Sequence, residues 1–162
     1  MRTLFDFSEA ATARRWHPLN DRVMGGISLG ALEATEEGAR FFGEVSFERN
    51  GGFASVRASV APIDLSAAEG LELVVRGDGK RYKVNFHSQA DPSSLLHRAS
   101  FETANGDWEK ARVRFDEFVP TVRGRAVRVQ SAGRAAIDSF GLMISDRQDG
   151  VFCLELKSIE VF

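Results

Sequence analysis

Apolar side chains in this chain recur every second residue, in short runs broken by turn residues from one end to the other. Leu71, Leu73 and Val75 alternate with polar neighbours, and Tyr82, Val84 and Phe86 resume the pattern beyond Asp78-Gly79. A period of two places these side chains on one face of an extended strand, whereas a helix needs 3.6. Further runs at Phe41–Phe47, Phe53–Arg57, His97–Thr103 and Trp108–Phe115 are separated by clusters of Gly, Asn and Asp, residues that tolerate tight-turn backbones. Many short strands with frequent turns imply an all-β chain, an antiparallel β-sandwich or barrel. Hairpins are expected at Asn50-Gly51, Asp78-Gly79 and Asn105-Gly106.

Strand parity also names a core: Phe41, Leu71, Leu73, Val75, Val84, Phe86, Val113, Phe115, Leu142, Ile144, Leu154 and Leu156. The last strand changes parity between Leu156 and Ile159, which a bulge near Lys157-Ser158 would reconcile. Helix is confined to Ser8–Arg14, with Ser8 as N-cap, and to one turn at Ser66–Glu69. Neither is long enough to make a layer.

The 162 residues, 43% of them hydrophobic, suffice for one core and show no linker, so a single domain over 1–162 is expected. A formal charge of -2 gives no bulk attraction to DNA or to an anionic membrane. The opening residues Met1-Arg2-Thr3-Leu4-Phe5-Asp6-Phe7 are interrupted by Asp6, so no signal peptide or membrane span is expected and the reading is cytoplasmic. The lone Cys153 has no partner for an intrachain disulfide and reads as core filler.

Chemistry-bearing patterns are sparse. His17, His87 and His97 are far apart, with no metal-site spacing among them, so no metal ligand is assigned. There is no G-x-S-x-G elbow, and Gly77-Asp78-Gly79-Lys80 is not a phosphate loop. No catalytic residue and no cofactor follow. Asp21, Asp78 and Asp146 read as turn caps. Lys110, Arg112, Arg114, Arg123, Arg125, Arg128 and Arg134 make a locally basic stretch, read as a solvated face rather than a contact for RNA or an acidic partner.

Four ordered segments carry a specific resemblance: WHPLNDRVMGGIS at Trp16–Ser28, NGGFASVR at Asn50–Arg57, RGDGKRY at Arg76–Tyr82 and DRQDGVF at Asp146–Phe152. With Trp108 and the Phe115-x-x-Phe118 pair, they resemble the complex I intermediate-associated protein 30 (CIA30) family over nearly the whole chain. Arg114 and Val151 stand where that family usually carries a proline. The resemblance implies a galactose-binding-domain-like jelly roll and a non-catalytic role in assembling respiratory complex I. On that basis the expected function is a protein-binding module, an assembly factor or chaperone-like protein for a respiratory or other multiprotein complex. Its partners would be respiratory complex subunits or assembly intermediates. Two alternatives stand beside it. One is a carbohydrate-binding jelly roll using Trp16, Tyr82 and Trp108 as stacking rings; the other is a cryptic small-molecule enzyme.

The expected binding surface joins three loops that spend polar and glycine residues on specific backbone shapes. They comprise Asn20, Asp21, Arg22, Met24, Gly25 and Gly26; then Asn50, Gly51, Gly52 and Phe53; then Asp146 and Gln148. Asp21 or Asp146 would accept hydrogen bonds from neighbouring amides or Arg22, leaving Met24 and Phe53 to present apolar area.

Overall fold

The computed structural model describes residues 1–19, 29–46 and 52–162. Its strands are β1 (Arg2–Asp6), β2 (Trp16–Pro18), β3 (Leu29–Thr35), β4 (Gly38–Val45), β5 (Ala54–Ile63), β6 (Gly70–Asp78), β7 (Arg81–Ser88), β8 (Leu95–Glu102), β9 (Asn105–Arg114), β10 (Val119–Val122), β11 (Arg125–Ala126), β12 (Ile137–Ile144) and β13 (Gly150–Val161). Among the described residues a short α-helix, α1 (Ala10–Arg14), links β1 to β2, and a single 3-10 turn spans Phe115–Glu117. All described pairings are antiparallel and fall into two sheets. The first runs β3-β4-β13-β6-β9, with β1 also paired to β13, and the second runs β11-β10-β8-β7-β12-β5-β2.

The period-two pattern is what lets the sheets face each other. Leu71, Leu73 and Val75 of the first sheet and Val84, Leu142 and Ile144 of the second are each fully buried, and all twelve residues expected in the core are buried. Aromatic rings fill the middle: Phe41 lies 4.9 Å from Phe152, and Phe5 lies 5.8 Å from Phe140 edge-on, arrangements that the ring quadrupole favours. The register of β13 against β6 shifts between Leu156 and Ser158, which is the expected bulge, and it turns Ile159 and Val161 back to the core.

The expected hairpins are a different matter. β6 belongs to the first sheet and β7 to the second, so Asp78-Gly79 is a crossing between sheets. The same holds for β8 and β9 around Asn105-Gly106, and for β4 and β5, whose Asn50-Gly51 lies outside the described residues. Turn chemistry marks a tight reversal but does not say whether the chain re-pairs with itself or steps to the facing sheet. Hairpins among the described residues join β3 to β4, β7 to β8 and β10 to β11. Glu9 rather than Ser8 occupies the N-cap position, without a side-chain cap hydrogen bond, while the amide and hydroxyl of Ser8 both donate to Asp6 Oδ1. Cys153 is half-exposed and pairs with Phe42 on the outward face of β13, so it is not core filler. Burial pushes its thiol pKa up, and Glu155 adds to that.

One corner ties the layers. Asp78 accepts hydrogen bonds from the Lys80 amide at 3.1 Å, the Tyr82 hydroxyl at 3.0 Å and the Cys153 amide at 2.9 Å. Tyr82 is fully buried, and burial followed by the nearby Asp78 charge pushes its phenol pKa well up. Asp78→Ala would leave these three partly or fully buried donors without their acceptor, so unfolding free energy is expected to fall by roughly 2–4 kcal/mol, against roughly 1 kcal/mol for Tyr82→Phe. Urea unfolding of both variants checks this, and equal small effects would show that the corner is not a principal tie.

A cationic cleft on the outer face of the second sheet

The residues that alternate with the core residues of the second sheet face outward, and their register sets them in rows. Arg98 of β8 pairs with Asn85 of β7, Asn85 with Gly141 of β12, and Gly141 with Arg57 of β5. One row along, Lys83 pairs with Met143 and Met143 with Ser55. These rows floor a cleft of about 920 Å³, within the range of ligand sites. Leu19, Gly52 and Phe53 close one side, and the β10–β11 turn and the loop after β12 supply the rest of the rim.

Packing explains the bare centre of the floor. A Cβ at Gly141 would meet Asn85 Oδ1 at 2.5 Å, so the Asn85 amide lies across the glycine. Asn85 is 3% exposed and its Oδ1 has no hydrogen-bond partner among the described residues; Arg98 Nε is likewise buried and without one. Such groups cost roughly 1–3 kcal/mol each when left unmet, and native interiors keep few of them.

The rim is held under strain. Among the described residues, the non-glycine residues with left-handed backbone are Arg123 (φ 50°), Asp146 (φ 65°) and Arg147 (φ 58°), and all three line this cleft. Side chains disfavour that region, and strained residues gather where surrounding contacts over-determine them. Here the contacts are visible. Gln148 donates from Nε2 to the carbonyls of Arg81 at 2.7 Å and Ser145 at 2.8 Å, and its Oε1 accepts from the Arg81 amide at 2.8 Å. Asp146 accepts from Lys83 Nζ at 2.8 Å and Arg81 Nε at 3.1 Å. Opposite, the Leu19 amide donates to the Ser55 carbonyl at 2.8 Å, and the Ser55 hydroxyl donates to the Leu19 carbonyl.

Charge is unevenly placed. The described lining includes Arg57, Lys83, Arg98, Arg123 and Arg147 against the single carboxylate of Asp146. Among the described residues the ion pairs here are those of Asp146 with Lys83 and Arg81. Burial pushes the pKa of Arg57 and Arg98 down, opposed by Asp138 and Asp146 respectively; guanidinium groups titrate so high that both stay charged. Burial pushes the Asp146 carboxyl up, but the hydrogen bonds and charges of Lys83 and Arg81 outweigh it and hold it below the usual carboxylate range.

Of the residues expected to bind, Gly52, Phe53 and Asp146 line the cleft, while Gln148 sits behind the rim as its clamp. Asn20, Asp21, Arg22, Met24, Gly25, Gly26, Asn50 and Gly51 lie outside the described residues. Sequence reasoning passed over Arg57, Lys83, Asn85, Arg98 and Met143. A signal existed, because Lys83 and Asn85 are the polar half of the alternation whose apolar half was used for the core. The rings proposed for sugar stacking are elsewhere: Trp16 and Tyr82 are buried, and Trp108 lies on the first sheet beneath Arg76 and Lys157. The basic stretch is divided, with Arg112 paired to Glu72, Arg134 donating to carbonyls at 65, 66 and 68, and only Arg123 reaching the cleft. His87 bonds Asp138 and the Pro92 carbonyl, while His97 stacks on Phe86 at 4.6 Å.

A family model described as Complex I intermediate-associated protein 30 matches residues 5–156. The mouse protein named "Complex I intermediate-associated protein 30, mitochondrial" is 26% identical over 185 residues, spanning 99% of this chain and 56% of the relative. Its Drosophila melanogaster namesake is 25% identical, spanning 96% and 61%. The chain thus covers little more than half the length of these relatives, and their names place them in mitochondria rather than in the cytoplasm expected from the N-terminus. No helix among the described residues is long and apolar enough to cross a membrane. Among solved structures, a family 11 carbohydrate-binding module from Clostridium thermocellum, in complex with a mixed-linked tetrasaccharide, superposes with a TM-score of 0.66 at 14% identity, over 99% of this chain and 94% of the module. An agarase matches with a TM-score of 0.65 at 13% identity, over 99% of this chain and 26% of the enzyme. At such identities the likeness concerns the fold, a β-sandwich of the jelly-roll type.

The rim clamp yields a pH prediction. Because the folded pKa of Asp146 is depressed, its contribution is complete above the unfolded value of about 4 and disappears as pH falls through the folded value. Asp146→Asn is therefore expected to destabilise the fold slightly at pH 7, by less than about 1 kcal/mol for so exposed a pair. The difference from the unsubstituted chain should shrink progressively below about pH 4. Urea unfolding across pH 2–7 measures it; a difference that grows on acidification would contradict the assignment.

Proposed function

The chain belongs to the complex I intermediate-associated protein 30 family, and from that premise we propose that it is a non-catalytic protein-binding module. It acts as an assembly factor or chaperone-like protein for a respiratory complex of the complex I type. The observation that carries the reading is the family match across residues 5–156. The cleft supports it as a place for a partner, because strain, buried unpartnered polar groups and excess charge coincide there. One domain over 1–162 is the unit proposed. The residues proposed to bind are Asn20, Asp21, Arg22, Met24, Gly25, Gly26, Asn50, Gly51, Gly52, Phe53, Asp146 and Gln148, of which Gly52, Phe53 and Asp146 line the cleft. The compartment proposed is the aqueous phase in which complex I is assembled, the cytoplasm where no mitochondrial targeting applies.

Carbohydrate binding is the second reading, favoured by the jelly-roll relatives that bind saccharides. Against it, Phe53 is the one aromatic ring in the described lining. Sugar rings stack best on aromatic faces.

Disrupting the gene in the source organism is expected to lower the amount of fully assembled complex I and to leave sub-complexes, as read on native gels. Restoring the intact chain should reverse this, and tagged chain should co-migrate with the sub-complexes. Unchanged complex I levels together with an absence of co-migration would overturn the proposal.

A further inference from the structure

Resting on the protein-binding reading, we propose that the cleft takes an extended acidic segment of a protein partner, whose carboxylates meet Arg57 and Arg98 and whose peptide group meets Asn85. Charge complementarity selects the occupant. The chain as a whole carries -2, yet the described lining sets five cations against one carboxylate, and that carboxylate is already held by Lys83 and Arg81. Arg57 and Arg98 are the partly buried pair at either end of the Arg98–Asn85–Gly141–Arg57 row. Guanidinium groups present a planar fork of donors that fits carboxylates, and a water-poor setting strengthens such pairs.

Between the two arginines lies the feature that favours a peptide over a simple anion. Asn85 is buried, lines the floor and leaves Oδ1 without a hydrogen-bond partner among the described residues, as does the Nε of Arg98, the residue it pairs with across β7 and β8. A side-chain amide offers one acceptor and two donors, the complement of a peptide N–H and C=O. Gly141 opposite gives the Asn85 amide room to lie across the sheet, so the amide itself is the floor there. Apolar area flanks the row at Leu96, Met143, Leu19 and Phe53, and Met is a side chain that adapts to varied partners. Acidic residues alternating with apolar ones along an extended segment would satisfy both sets of groups. At about 920 Å³ the cleft holds several residues of chain, whereas phosphate or free glutamate would leave most of it filled only by water.

Isothermal titration of the full chain tests this with a capped octapeptide alternating Glu and Leu, its Gln-for-Glu counterpart, inorganic phosphate and a mixed-linked tetrasaccharide. The Glu peptide is expected to bind with one-to-one stoichiometry, at least about tenfold tighter than the Gln peptide, and to weaken as salt rises. The double variant R57Q/R98Q should lose at least about tenfold, R57K/R98K should lose less, and Asn85→Ala should weaken the Glu and Gln peptides alike. Arg112→Gln, on the other sheet, should change nothing. Circular dichroism of each variant confirms that it is folded, and the lysine pair supplies a charge-retaining comparison if the glutamine pair is not. The proposal is overturned by failure of the Glu peptide to bind, by equal binding of Glu and Gln peptides, or by binding that R57Q/R98Q leaves intact. Saturable binding of the tetrasaccharide in its place would also overturn it. The two readings fail separately. If R57Q/R98Q fully restores complex I in the disrupted strain, the cleft proposal falls and the assembly reading stands. If disruption leaves complex I unchanged while the Glu peptide still binds through the arginines, the reverse holds.

Discussion

The two sheets are held in relation by a clasp at one corner of the sandwich. There the chain crosses from β6 to β7 and, close by, from β8 to β9. Asp78 fixes the first crossing to Tyr82 and to β13. Gly77 admits the Thr103 side chain to the place a Cβ would fill, at 2.1 Å from Thr103 Cβ, and Thr103 Oγ1 donates to the Lys80 carbonyl at 2.7 Å. The second crossing is thereby locked to the first. Because side chains alternate with a period of two, a slip of one residue in β7 would send Val84 to solvent and Lys83 and Asn85 to the core. The corner therefore fixes more than stability. It decides that the row of Arg98, Asn85, Gly141 and Arg57 faces outward.

The outer faces of the two sheets treat their cations in opposite ways. On the first sheet Arg76 bonds both oxygens of Glu155, at 2.6 and 2.8 Å, and also reaches Glu37 at 2.8 Å. Arg112 pairs with the almost fully buried Glu72 and covers Phe162 at 4.3 Å. Arg40 pairs with Glu33 and covers Phe42. Those charges are met by carboxylates and by ring faces, which attract cations. On the second sheet Arg57 and Arg98 are drawn partly out of water with no ion pair among the described residues. Partial burial of a charge is unfavourable unless it is compensated, so the same residue type makes a closed surface on one side and an open one on the other. A count of arginines along the sequence cannot separate the two.

This difference accounts for what was legible beforehand. The all-β class, the twelve core positions and the bulge before Ser158 followed from parity alone, because burial of one strand face depends on side-chain order and little else. The crossings were misread as hairpins because Asp-Gly and Asn-Gly report a local backbone shape, whereas the destination of the next strand is set by contacts such as Thr103 with Gly77 that lie far apart in sequence. The cleft was half legible. Phe53 and Asp146 were reached through motif residues, but Asn85 and Arg98 have meaning only through register, since nothing local links position 85 to 98, 141 or 57. Trp16 and Tyr82 misled for the complementary reason: a large ring suits a core as well as it suits a surface, and while the Tyr82 hydroxyl finds Asp78, Trp16 is buried with no partner for its Nε1 among the described residues.

The cleft also departs from the consistency seen elsewhere in the fold. In most of the molecule local preference and global packing agree: β-branched and aromatic residues sit in strands, glycine sits where space or backbone demands it, and carboxylates answer arginines, although Trp16 Nε1, Glu72 Oε2, Asp91 Oδ2 and His97 Nε2 are also buried without a hydrogen-bond partner among the described residues. Around the cleft three rules are broken together, with left-handed backbone at Arg123, Asp146 and Arg147, unpartnered polar atoms on Asn85 and Arg98, and guanidinium groups half removed from water. Any one could be an isolated accommodation. Their coincidence on a single face means that the free protein carries several unfavourable terms that one ligand could relieve at once. A neutral ligand would hydrogen-bond the amide and the guanidinium donors but leave their charge uncompensated, and a fully ionised inorganic anion would compensate the charge but offer no donor to Asn85 Oδ1. An acidic peptide is the chemistry that answers both, which is why the surface fits a protein-binding module better than a sugar-binding one built on the same jelly roll.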